Sequence, residues 1–314
     1  RGTGCMYGNF TNSMGTVNYA VMASSSPVAS GSMATNNNNR SCIASADTAS
    51  RCSINVFNTD DLGFADEENQ QGLVHGDLAK MGEVLTNSQI GGRRNMVING
   101  KFQIFQRGTS ATTVNTNDVF AADRFKGWAN GGGTYTVEQS TDVPDNEFEF
   151  SAKLINTGVD SSIAAGDFYV YATDIEGYNV AQLAYGSSDA KAVTLSFWVK
   201  ASLAGTYCIA LYSTTASRYQ IKEYTISSAD TWEKKTITIA SGDTTGSWNK
   251  TDGNGLRVYW DLGSGSTYQG TADTWASGQK FSTTNQANWI DTSSANFYLT
   301  GVQLEVGSQA TPFE

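Results

Sequence analysis

The run Val193-Thr194-Leu195-Ser196-Phe197-Trp198-Val199-Lys200 constrains the fold more than any other segment. Val193, Leu195, Phe197 and Val199 fall on one side, and Thr194, Ser196, Trp198 and Lys200 on the other. A period of two is that of a strand with one face on a core, and it cannot form an apolar stripe on a helix. Weaker versions recur at residues 207–212, 220–226, 234–240, 256–262 and 297–306, separated by Gly, Ser, Thr, Asn and Asp. Tyr207 to Tyr212 follows Ala204-Gly205 closely and reads as the second arm of a hairpin with residues 193–200. No rhythm of strands alternating with long helices is present, and no repeat of fixed period. Residues 95–314 therefore read as one all-β sandwich or barrel.

Composition supports strands and narrows the partners. Charged residues make up 16% of the chain and glycine counts 32, so the surface is clothed in Ser, Thr, Asn, Gln and Gly, and helix formers are few. Asp and Glu number 30 against 20 Lys and Arg, a formal charge of −10 with no basic block. A polyanion such as nucleic acid would be repelled. No stretch of 18 apolar residues occurs, so no membrane-spanning helix is expected, and no signal-peptide pattern is present.

Residues 1–79 read as a smaller β domain, incomplete at its N-terminus. Val17 to Ala23 and Cys52 to Phe57 alternate as strands, Leu73 to Gly76 reads as a short final strand, and residues 24–39 read as a long excursion rich in Asn. Such a unit has few strong strands and is expected to lean on neighbours, which include other copies of the chain. Residues 80–94 read as a connector, helical at 80–87 and broken at Gly91-Gly92.

Chemistry-bearing motifs are sparse. His75 is the one histidine, so a histidine-based zinc site lacks supporting ligands and no metal site is expected. Cys5, Cys42, Cys52 and Cys208 show no CxxC spacing. Four buried thiols is the plainer reading, and a bond between Cys42 and Cys52 stays open. The acidic runs Asp60, Asp61, Asp66, Glu67, Glu68 and Asp142, Asp145, Glu147, Glu149 lie in turn-like sequence and read as solvated carboxylates. A glycosidase would need two carboxylates set across a bound sugar. No GxSxG elbow, Walker loop or dinucleotide fingerprint occurs. No catalytic residue is assigned, and the chain reads as a non-enzyme.

From Gly92 onward the chain resembles C-terminal domains of phage tail and fibre proteins. The resemblance is carried by Gly92-Arg93-Arg94-Asn95-Met96-Val97-Ile98-Asn99-Gly100-Lys101-Phe102-Gln103, Gln106 to Ser110, Ala122-Asp123-Arg124-Phe125 and Ile175-Glu176-Gly177-Tyr178. It continues through residues 193–200, Ala229 to Lys235 and Phe297 to Gly307, and ends on Pro312-Phe313-Glu314. That group looks like the carbohydrate-binding jelly rolls attached to glycan-active enzymes. The resemblance implies a C-terminal jelly-roll β-sandwich whose first and last strands lie side by side, pairing the region of Asn99 with that of Glu305. Some such modules hold a structural calcium, and here Gln103 stands where many have an acidic residue. Asn9 to Met14 and Val17 to Val21 resemble small β domains of marine phage fibres, which implies a homotrimer, other virion proteins as partners and a place on a tail or fibre appendage.

Under this resemblance the expected function is attachment to host-surface glycan. The alternatives are a purely structural role in capsid decoration or a tail, and a polysaccharide depolymerase. Sugar recognition needs a flat ring beside amides or carboxylates. Trp198 on the polar side of its strand, and Trp248, Tyr268, Trp275 and Trp289 in Gly-, Ser- and Asn-rich segments, are the candidate rings. Trp232 reads as a core anchor at the sandwich edge.

Overall fold

The computed structural model describes residues 94–314 in full and, before them, the backbone of six strands. The chain divides into two compact units, Arg1–Gly91 and Gly92–Glu314. In the first, β1 (Cys5–Asn9), β3 (Arg40–Thr48), β4 (Arg51–Asn58) and β5 (Gly63–Phe64) form an antiparallel sheet centred on β4. β2 (Ala20–Ser26) pairs with β6 (Asn69–His75). β1, β3 and β5 were not foreseen, and β2 runs into the segment expected to be an excursion. The helical reading of residues 80–87 lies outside the described residues, as do the side chains of Cys5, Cys42, Cys52 and His75.

The second unit is a jelly-roll-like sandwich of two antiparallel sheets. The six-stranded sheet has the order β16 (Glu233–Ile239), β13 (Val193–Ala201), β19 (Asn296–Val306), β11 (Ser151–Gly158), β10 (Thr134–Ser140), β7 (Thr112–Val114). The seven-stranded sheet has the order β18 (Ala276–Ser277), β15 (Arg218–Ile226), β14 (Gly205–Ser213), β17 (Asn254–Ser264), β12 (Phe168–Glu176), β9 (Phe125–Asn130), β8 (Val119–Phe120). Alternation places Val193, Leu195, Phe197 and Val199 of β13 wholly inside, as expected. They meet Leu211, Val258 and Trp260 in one core, with Phe197 edge-on to Trp260 at 5.7 Å. Each such side chain removed from water contributes about 1.5–3 kcal/mol.

The expected pairing of residues near Asn99 with those near Glu305 is present without a regular first strand. Met96 N donates to Leu304 O at 2.9 Å and Val302 N to Gly100 O at 3.0 Å. The Asn95 side chain takes part at both ends, donating to Val302 O and accepting from Leu304 N. The hairpin expected between β13 and β14 is corrected. The two strands lie in opposite sheets, because residues 202–204 carry the chain across the sandwich edge, held there by Ser202 N on Asn296 O at 3.1 Å.

Candidate functional site

The outer face of the seven-stranded sheet is not the polar surface that alternation alone would give. β9, β12, β14 and β17 turn Trp128, Phe168, Val170, Ala172, Cys208, Ala210, Tyr212 and Tyr259 outward, and these form a second apolar cluster. Residues 265–286 fold back over half of it as a strap. Phe281 of the strap is fully buried, with its ring centroid 4.6 Å from that of Tyr259 and 5.2 Å from that of Phe168. The strap is pinned by Gln279 Nε2 on the Tyr259 hydroxyl at 3.2 Å, and by Thr283 and Asn285 on Glu223. Beneath it Cys208 is free and buried, its thiol pushed up to about 12 by desolvation, which leaves it inert.

A transverse row crosses this face, running out from beneath the strap, where Tyr219 pairs with Ala276. Register aligns Tyr219 with Tyr212, Tyr212 with Arg257, and Arg257 with Asp174 across β15, β14, β17 and β12. The neighbouring row adds Lys126 and, at the end, Phe120, which is 37% exposed. Asp174 is the hub. Arg257 donates to it from Nε and, at 3.0 Å, from Nη2, while Lys126 Nζ lies 2.8 Å away. Lys126 also reaches Asp118 at 2.6 Å, and Arg257 Nη1 donates to the Tyr259 hydroxyl at 3.0 Å. Desolvation works to raise the Asp174 pKa, but these cations outweigh it and hold the carboxyl below its usual range. The guanidinium carbon lies 5.1 Å from the Trp128 ring centroid and 5.6 Å from that of Tyr259. The Trp128 indole N–H is shielded and has no acceptor. The half-buried Trp128 and the exposed Phe120 thus stand near the partly exposed Asp174 on one sheet, a ring-and-carboxylate combination suited to the apolar face and the hydroxyl edge of a polyhydroxylated ring.

The five sequence candidates do not converge on this face. Trp198 lies half-buried on the outer face of the six-stranded sheet, where it and Phe148 close over Gly301. Tyr268 belongs to the strap and stacks on Phe281 at 5.0 Å. Trp248 and Trp275 come together with Tyr185, with centroid separations of 4.9 to 5.6 Å. Two candidates are corrected. Trp289 is wholly buried, edge-on to Tyr135 with Nε1 on Asn296 O, and Trp248 is 7% exposed with Nε1 on Thr245 O, so both plug the sandwich. Trp232, expected in the core, is half-buried outside it and packs on Tyr298, and its indole N–H donates to Asp142. That Asp142 also binds Lys200, so it is not the merely solvated carboxylate its run implied.

The residues missed were Trp128, Asp174, Tyr212 and Arg257. The signal available was a charge in mid-strand: Asp174 and Arg257 interrupt otherwise apolar stretches and fall on the face opposite Tyr171, Val258 and Trp260. Among the described residues no group of three or more His, Cys, Asp and Glu is arranged to hold a metal ion. No described helix is long and apolar enough to cross a membrane.

No family model matches the chain, and no curated protein matches it. Solved structures similar to it include the enzymatically active domain of tailspike protein 4 of Bacteriophage CBA120, at 12% identity and a TM-score of 0.35 over 68% of this chain. The match spans only 21% of the tailspike domain. The family 11 carbohydrate-binding module of the cellulosomal cellulase Lic26A-Cel5E of Clostridium thermocellum is similar at 10% identity and a TM-score of 0.35, over 65% of this chain and 99% of the module. A xylan-binding CBM22-1 domain of Paenibacillus barcinonensis Xyn10C is similar at 10% and 0.30, over 65% of this chain and 98% of that domain. The sandwich itself rests on its own strand order and core.

Proposed function

We propose that this chain is a phage virion appendage protein that attaches to host-surface glycan through the outer face of its seven-stranded sheet. The observation that carries the reading is the end of the row where Asp174, ion-paired to Arg257 and Lys126, is left a third exposed beside the half-buried Trp128 and the exposed Phe120, while Tyr219, Tyr212, Arg257 and Lys126 are buried behind them. The sequence resemblance to tail and fibre domains supports the setting.

The mode of action is binding, with no chemical step. One sandwich offers a shallow, largely desolvated row and binds weakly. Copies held together, as a homotrimer on a fibre would hold them, gain from a raised effective concentration. The test is binding of the whole chain to a glycan array and to host cells, for the native protein and for Trp128→Leu and Phe120→Ala. The reading expects binding that each substitution weakens by about tenfold, the loss of a ring contact. Binding that both variants keep in full would remove this face from the account.

A further inference from the structure

We propose that the glycan taken by the outer face of the seven-stranded sheet is uncharged. The inference rests on the reading that this face binds glycan, and concerns which class.

The charges at the row cancel. Arg257, Lys126 and, at the rim beside Phe120, Arg107 supply three cations, and Asp174, Asp118 and Asp123 supply three carboxylates. The two cations within the row are already engaged, and Arg107 at the rim is 60% exposed. Arg257 has Nε and Nη2 on Asp174 and Nη1 on Tyr259, Lys126 bridges Asp118 and Asp174, and Arg107 lies over the Phe120 ring with Nη1 3.9 Å from Asp123. Recognition of an acidic sugar draws on a cation free to form a short charge-assisted pair. Within the row such a sugar would have to displace Asp174 from a guanidinium that is 9% exposed, or set its own carboxylate against Asp174 and Asp118. Either route leaves a desolvated charge uncompensated, which is costly. The chain's net charge of −10 adds a repulsive field for any polyanion.

Hydroxyl groups meet no such obstacle. An ionised carboxylate offers about four acceptor directions, so Asp174 and Asp118 can accept from sugar hydroxyls while keeping their cations. The Phe120 ring, 37% exposed, meets the C–H face of the sugar and carries no charge. The row therefore selects a neutral polysaccharide by accepting hydroxyl protons and by excluding a second anion.

Affinity electrophoresis of the whole chain tests this with soluble polysaccharides of both classes: mixed-linkage glucan, xylan and galactomannan as neutral probes, polygalacturonate and alginate as acidic ones. Retardation by at least one neutral probe and by neither acidic probe is expected, with less than about a twofold change on raising salt to about 0.5 M. Asp118→Asn removes a largely exposed carboxylate without opening the core. It is expected to raise acidic-probe affinity by about fivefold, the effect of one unit charge at about 4 Å in water. Retardation by an acidic probe alone, weakened by Phe120→Ala, would overturn the neutral assignment and leave the glycan-binding face standing. No retardation by any probe, together with silence on the glycan array, would overturn the binding reading and this inference with it.

Discussion

Asp174 and Arg257 face each other across the central strands β12 and β17, with Arg257 Nη2 3.0 Å from Asp174 Oδ2 and only 9% of the arginine side chain exposed. The arginine is largely buried and the aspartate is two-thirds covered, so each charge depends on its partners. Arg257→Met is expected to destabilise the sandwich by about 2–3 kcal/mol, because it leaves a partly desolvated carboxylate with Lys126 in place of two cations. Pairing it with Asp174→Leu is expected to recover much of that loss. Denaturant unfolding of the two single variants and the double variant measures the coupling, and additive effects would mean that the pair does not act as a unit.

Asp261 gives the fold an unusual response to pH. It is fully buried, hydrogen-bonded to Gly263 N at 3.1 Å and to the Ser264 hydroxyl, and burial pushes its carboxyl up to about 7. The folded pKa lies above the unfolded value near 3.9, so the unfolded chain gives up this proton first. Between about pH 4 and pH 7 the group's contribution therefore falls as pH rises, by at most about 1.4 kcal/mol per unit. Asp261→Asn removes that slope. Thermal melting at pH 5 and pH 8 is expected to show the variant gaining on the native protein at the higher pH, and a constant difference would contradict the assignment.

Acid works through other groups. Cations and hydrogen-bond donors hold Asp142, Asp174, Glu176, Glu233 and Asp243 below the usual carboxylate range, against the opposing effect of desolvation. Their contribution is complete above the unfolded pKa and is lost as pH falls through the lowered folded values. Asp243 is only 2% exposed and is gripped by Arg218 through Nε at 2.6 Å and Nη2 at 3.1 Å. Asp243→Asn is expected to lower stability at pH 7 and to flatten the loss below about pH 4. Unfolding followed from pH 7 to pH 2 checks both.

Gly301 is expected to reject a side chain. Its φ is +61°, and an added Cβ would stand 2.9 Å from Phe148 and 3.1 Å from Trp198. The left-handed conformation alone costs an L-residue about 1–2 kcal/mol, and these rings have little room to withdraw. Gly301→Ala should lower the melting temperature, while Gly132→Ala, with open space around it, should leave it nearly unchanged.

Much of the sandwich was legible because burial of one strand face enforces a period of two, and β13 obeyed it residue by residue. The hairpin reading of β13 and β14 failed because a short Gly-containing link is the same in sequence whether it turns within a sheet or crosses to the other. Two of the candidate rings failed for a related reason. Trp289 and Trp248 lie in polar loops, but those loops fold over the ends of the sandwich and drive their rings inward. The outer-face row escaped notice because its members come from strands scattered between Phe120 and Arg257, and only the register of six strands sets them side by side.

The seven tryptophans make the central claim directly measurable. Each indole N–H gives its own signal in protein labelled with nitrogen-15 at tryptophan, and Trp128 stands alone among them on the outer face of the seven-stranded sheet. Titration with a polysaccharide that the chain binds is expected to shift the Trp128 signal while leaving Trp260 and Trp289 in place. Movement of Trp198 or of the Trp248 and Trp275 pair, with Trp128 unmoved, would contradict the account and transfer the binding surface elsewhere on the sandwich.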